Sequence, residues 1–179
     1  FDRNEAASWA AAALATDGDI FVGGAKQQEM LTFLNVFRKV GGDFDIAEDG
    51  IRFRRGGALK PVMVETDVHP GFMTDWQQPL IVALTQAEGT SVVHETVYEN
   101  RLGFTRALVQ MGADIVVHPD GIASSERRVP RRALEQAAVI NGPTPLRGAD
   151  VVVPDLRGGY SYVIAALAAE GESTTSAPR

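Results

Sequence analysis

The chain contains no cysteine, so it carries no disulfide, no thiolate metal site and no cysteine nucleophile. Positive charge is also short: 17 Lys and Arg stand against 23 Asp and Glu, a net charge of −6. A surface that tracks nucleic-acid phosphates needs the opposite balance, and no nucleic-acid partner is expected. A small anionic ligand stays open, because a few local donors hold one. No apolar run approaches the ~20 residues of a bilayer span, and no charged-then-apolar leader opens the sequence. We therefore expect no membrane association, and a cytoplasmic location fits. Histidine is scarce. His94 and His118 are too isolated to suggest a metal site, and His69, before Pro70, reads as a turn residue. No metal and no cofactor are expected. The rest is ordinary for a globular chain: 45% hydrophobic and 22% charged over 179 residues. That suffices for one cored domain or for a piece of something larger. Position 1 is Phe1 rather than Met, which reads as a fragment or a processed product.

What the chain does have is a period. One and the same interval separates Gly18 from Gly89, Gly41 from Gly112, Gly50 from Gly121 and Phe33 from Phe104. A spacing shared by separate turns marks a duplicated unit. In the first copy an Ala-rich stretch, residues 5–16, reads as a helix apolar on all sides and hence buried. Asp17-Gly18-Asp19 stops it. A strand at 20–22 follows, then an amphipathic helix at 28–40 with Leu31, Leu34, Phe37 and Val40 inward. Gly41-Gly42 caps that helix. Strands at 43–46 and 51–54 flank the turn Glu48-Asp49-Gly50, a hairpin signal.

The second copy repeats the order: a helix at 77–87, a strand at 91–93 and an amphipathic helix at 99–111 with Leu102, Thr105, Leu108 and Val109 inward. Residues 115–117 and the turn Pro119-Asp120-Gly121 repeat the hairpin. A third copy begins with an Ala-rich helix at 160–169 and stops. Its glycine, Gly171, lies farther beyond Gly89 than the common interval allows. The excess falls around residues 124–136, which look inserted and carry Arg127, Arg128, Arg131 and Arg132. A solvated surface loop is the favoured reading of that insertion. Counting strands at 61–66 and 149–153, each unit reads β-α-β-α-β-β. The fold class is α/β or α+β with mixed sheets and Ala-rich helices inside. The units span about 1–60, 61–148 and 149–171, and residues 172–179 read as a disordered polar tail.

Asp2, Asp75 and Asp155 stand at or just before the starts of the three buried helices. Each taken alone reads first as an N-cap, worth about 1 kcal/mol. If the units pack around a pseudo-threefold axis, three helix N-termini converge and form an anion-attracting surface. Arg3 and Arg157 add charge there, and an arginine fork suits phosphate or carboxylate. Glu99 is well placed in a first helical turn. Arg101 is not, unless an anion pairs with it.

Six segments then resemble one family in order and spacing: Asp2-Arg3-Asn4-Glu5, Thr74-Asp75-Trp76-Gln77, Ala87-Glu88-Gly89-Thr90, Glu95-Thr96-Val97-Tyr98-Glu99-Asn100-Arg101, Met111-Gly112-Ala113-Asp114 and Asp155-Leu156-Arg157. The family is that of the UDP-N-acetylglucosamine 1-carboxyvinyltransferases, enolpyruvyl transferases that begin peptidoglycan precursor synthesis. The likeness runs from Asp2 to about Gly171. It implies an inside-out α/β domain of repeated units, paired in the complete enzyme with a second domain across an active-site cleft. It implies transfer of the enolpyruvyl group of phosphoenolpyruvate to the sugar 3′-hydroxyl through a tetrahedral adduct, with loss of phosphate. A base must take the hydroxyl proton and cations must hold the anionic groups. By motif, Asp75 matches the sugar-contacting aspartate and candidate base, Val97 a nucleotide-sugar contact and Arg157 a phosphoenolpyruvate-side arginine. Arg101 and Asp155 match the charged network around them, and Arg3 takes a structural role first. The family's reactive-cysteine loop and N-terminal lysine have no counterpart here. Trp76 stands where methionine is common, and Gly158-Gly159-Tyr160 replaces a small-residue run. Two rival readings stay open: a transferase like the one that makes 5-enolpyruvylshikimate 3-phosphate, and a non-catalytic binding module of the same fold.

Overall fold

A computed structural model describes residues 1–121, 136–153 and 158–177. The first unit opens with helix α1 (Arg3–Ala15), strand β1 (Asp19–Gly23), a 3-10 turn (Gln27–Glu29) and helix α2 (Leu31–Val40). Strands β2 (Gly42–Ala47) and β3 (Gly50–Arg55) close it as a hairpin. The second unit runs β4 (Met63–Glu65), α3 (Thr74–Leu84), β5 (Gly89–Glu95), a 3-10 turn (Arg101–Phe104), α4 (Thr105–Gln110), β6 (Asp114–His118) and β7 (Gln136–Gly142). The third contributes β8 (Asp150–Val152), α5 (Gly159–Ala168) and β9 (Thr174–Ser176).

The duplication is visible in the sheets. The first sheet has the order β1-β3-β2, all antiparallel. The second has the order β4-β5-β7-β6, and its last three strands occupy the places of β1, β3 and β2. Strand β4 adds a parallel edge to β5, and β8 pairs with β9 in the same parallel manner. The second sheet is therefore mixed, in keeping with the expected α/β class.

The helices α1, α3 and α5 pack on one another inside the sheets. Ala6, Ala7, Ala10, Ala11 and Ala13 are fully buried. Short side chains let the α1 and α3 backbones approach closely, which is why an almost moment-free Ala helix suits the centre. Helices α2 and α4 lie outside with one apolar side each. Gly41 ends α2 at φ 111° and Gly112 follows α4 at φ 106°. Side-chain residues avoid this left-handed region, so glycine stands at both equivalent turns.

Several expectations need correction. The amphipathic helices are shorter than their patterns, each being introduced by a 3-10 turn. Leu31, at the start of α2, is therefore exposed, and Met30 takes the buried place. Val109 is likewise exposed while Met111 is buried. The second hairpin partner is β7, reached through a long connection and missed in the sequence. The expected polar tail contains β9, the third unit's counterpart of β1 and β5, paired with β8. The Arg-rich residues Arg127, Arg128, Arg131 and Arg132 lie outside the described residues.

Candidate functional site

Helices α1 and α3 begin at Arg3 and Thr74, separated by the same interval as the paired glycines. By this register the counterpart of Asp75 is Asn4, not Asp2. Asp2 is the N-cap of α1, its side chain accepting from the Asn4 N–H at 2.8 Å. Asp75 is the second residue of α3, whose N-cap is Met73, and no side chain caps that helix. The expected equivalence of Asp2 and Asp75 thus fails by two residues, and neither Thr74 nor Asp75 serves as an N-cap.

The two register-equivalent side chains touch. Asn4 Nδ2 donates to Asp75 Oδ2 at 3.3 Å, and Arg101 Nη2 donates to Asp75 Oδ1 in a short ion pair. Both members of the pair are only 18% exposed, so water screens them less than a surface pair. Asp75 is the anion that makes Arg101 acceptable beside a helix start. The Arg101 guanidinium also lies 5.5 Å from the centroid of the Tyr98 ring, within cation–π range. Arg3 turns elsewhere and pairs with Glu29 at 3.2 Å, in keeping with a structural role.

The segment that delivers Val97 and Arg101 is held by Glu95, the last residue of β5. Its side chain is fully buried. Oε1 accepts from the Val97 and Tyr98 N–H groups at 2.8 and 3.0 Å. Oε2 accepts from Thr74 Oγ1 at 2.8 Å and from Gln77 Nε2. One carboxylate therefore ties the Val97 turn to the first turn of α3, and four donors offset the cost of burying its charge. Thr96 adds a second anchor through Oγ1 to the Thr66 carbonyl at 2.6 Å. Asn100, at φ 56°, then redirects the chain into the 3-10 turn that presents Arg101.

Trp76 fixes the start of α3 from the opposite side. It is 1% exposed and meets the rings of Phe33 and Phe72 edge-on, each at 5.6 Å between centroids. Helix α1 contributes an open flank: a cavity of about 500 Å³ is lined by Asp2, Arg3, Asn4, Lys26 and Glu29, with Phe1 at its rim. Among the described residues no cluster of three metal-ligating side chains occurs. No helix among them is long and apolar enough to cross a membrane.

The structure thus brings together Asp75, Arg101 and the Val97 turn. Asp155 and Arg157 lie outside the described residues. Asn4 and Glu95 were not singled out in the sequence, although signals for both exist. Asn4 precedes Asp75 by the interval of the repeat, and Glu95 shares strand parity with the buried Ser91 and Val93.

The repeated units, with helices inside and sheets outside, have the fold of the enolpyruvyl transferases. Residues 1–178 match the family described as EPSP synthase (3-phosphoshikimate 1-carboxyvinyltransferase), and the chain belongs to that family. It is 52% identical, over 98% of its length, to the UDP-N-acetylglucosamine 1-carboxyvinyltransferase of Protochlamydia amoebophila. It is 50% identical, over 95% of its length, to the enzyme of the same name from Chlamydia trachomatis serovar D. The chain spans 38% of the length of each. The solved structure of the enolpyruvyl transferase NikO from Streptomyces tendae shares the fold at a TM-score of 0.78, with 23% identity over 97% of this chain and 38% of that one.

Proposed function

We propose that this chain is part of the catalytic machinery of a UDP-N-acetylglucosamine 1-carboxyvinyltransferase. The complete protein moves the enolpyruvyl group of phosphoenolpyruvate to the sugar 3′-hydroxyl and releases phosphate. The observation that carries this reading is the Asp75–Arg101 pair, held beside the Val97 turn, in a chain half identical to enzymes of that name. Asp75 takes the hydroxyl proton. Arg101 holds that carboxylate in place until the acceptor arrives, and contributes positive charge where the anionic groups gather. Val97 contacts the nucleotide sugar through a turn fixed by Glu95. By motif, Asp155 matches the charged network and Arg157 the phosphoenolpyruvate-side arginine of that family. The unit boundaries near 60 and 148 follow the repeat. The second domain supplies the other wall of the cleft, so the chain alone turns over little or no substrate. A cytoplasmic location accords with the cysteine-free composition.

The family description names 3-phosphoshikimate, so a shikimate-type acceptor is the second reading. Phosphate release by the full-length protein with phosphoenolpyruvate and each acceptor in turn separates the two. Release with UDP-N-acetylglucosamine and none with shikimate 3-phosphate is expected. The reverse outcome overturns the assignment, and release with neither favours a binding module.

A further inference from the structure

We propose that Asn4 is a positioning residue for Asp75, a task the first repeat unit performs for the second. The inference rests on the reading of Asp75 as the base and goes beyond it. Asn4 occupies the same place in α1 as Asp75 does in α3. The same place in two copies is a meeting point only if both helix starts face a common axis, and the 3.3 Å contact is that meeting. The hydrogen bond from Asn4 uses Oδ2 and that from Arg101 uses Oδ1. One oxygen held alone leaves a carboxylate free to rotate about its terminal torsion, whereas donors on both oxygens fix its plane.

A second observation points toward a ligand. Asn4 Oδ1 and Arg101 Nε are buried and have no hydrogen-bond partner among the described residues. One is an acceptor and the other a donor. A hydroxyl group can supply the complement of either, and buried polar atoms without partners are uncommon enough to need an explanation. Asn4 also borders the cavity it shares with Arg3 and Lys26. An asparagine suits this place because its amide donates to a carboxylate without charge of its own. An aspartate in its place would set two like charges side by side.

Among the described residues, the charged groups near the start of α3 include Arg101 from the 3-10 turn, Asp2 and Arg3 at the start of α1, the latter already paired with Glu29, and Glu95 from β5, which bonds the neighbouring Thr74 and Gln77. A hydrogen bond to an ionised carboxylate favours the ionised form, so the pH dependence of turnover reads this contact. In the full-length enzyme, Asn4→Leu should lower kcat about tenfold, the equivalent of one hydrogen bond in the transition state. KM should change less, and the acid limb of kcat/KM should move to higher pH. Asn4→Asp, nearly isosteric, should move that limb further, since two adjacent carboxylates titrate as a coupled pair. It also provides the pH readout if Asn4→Leu does not fold. Asp75→Asn is the control and should be nearly inactive. An inactive Asp75→Asn beside Asn4 variants of unaltered pH profile overturns the positioning role and leaves the proposed function standing, even if kcat falls. A fully active Asp75→Asn overturns both.

Discussion

The first and second repeat units share a sheet order, a glycine-capped outer helix and a helix start in register, yet they differ in charge placement. In the first, the ionic side chains decorate the outer sheet face. Arg52 grips Asp19 through two bonds of 2.7 and 2.9 Å, and Arg54 joins Asp43 and Asp45 at 2.6 and 2.5 Å. In the second, the charges face inward, in the Asp75–Arg101 pair and the buried Glu95. The hydrophobic frame needs only one side of each sheet and helix. Duplication therefore leaves other positions free to diverge, one copy toward a solvated face and the other toward a site.

The largest effect that sharpens this contrast is expected at Asp75. Asp75→Ala in the full-length protein should reduce turnover by about 10²–10⁴-fold, the range of a lost general base. Stability should fall by only about 2 kcal/mol, because Arg101 keeps some access to water. Steady-state phosphate release and urea denaturation measure the two; retained turnover would assign the second unit a binding role only.

Glu95 comes next, as a test of whether the inward charge is structural support. Glu95→Ala leaves four donors without their acceptor and should cost about 3 kcal/mol. Glu95→Gln should cost clearly less. Its oxygen can keep the Val97 and Tyr98 N–H groups, while its new amide meets Gln77 Oε1, which is buried without a partner among the described residues. Equal losses for the two variants, by denaturant midpoint, would contradict this arrangement.

A smaller effect distinguishes the equivalent caps. A Cβ on Gly41 would stand 2.9 Å from the Ala58 carbonyl oxygen, whereas one on Gly112 would stand 3.2 Å from that of Pro145. Both turns carry the left-handed penalty, so Gly41→Ala should cost about 2–3 kcal/mol and Gly112→Ala about 1–2 kcal/mol. Thermal melts of the two variants check the order.

The smallest effect belongs to the exposed ladder of the first unit. Its bond to Arg52 holds the Asp19 carboxyl below the usual range, and Arg54 does the same for Asp45. A lowered carboxylate stabilises the fold above its ordinary value, 3.8 here, and that contribution is lost as pH falls through the lowered value. Arg52→Ala should therefore narrow the difference in melting temperature between pH 6 and pH 2 slightly, and salt should erase the effect.

Much of the frame was legible in the sequence because it rests on local rules. Alanine runs without polarity gave the inner helices, and Gly41, Gly112 and the Glu48-Asp49-Gly50 turn gave the ends of elements. Strands β7 and β9 escaped because their pairing is long-range. The strand partner of β7 nearest in sequence, β6, lies beyond a long connection. The Thr-Thr-Ser of β9 is too polar to signal a strand until β8 offers its edge. The shortening of α4 follows from Asn100 adopting the left-handed region, which no apolar periodicity records. In the site, the motif resemblance led to Asp75, Val97 and Arg101. Asn4 escaped because matching aspartate to aspartate pairs Asp75 with Asp2, whereas the interval shared by the glycines and the helix starts pairs it with Asn4.

The central claim is that units one and two meet at equivalent positions and share one site. A double-mutant cycle on the full-length protein tests it most directly, using Asn4→Ala, Asp75→Ala and the double variant, with unfolding free energy as the readout. Coupling of about 1 kcal/mol is predicted for two side chains in direct hydrogen-bonded contact. Costs that add to within about 0.3 kcal/mol, as independent sites do, would contradict the account.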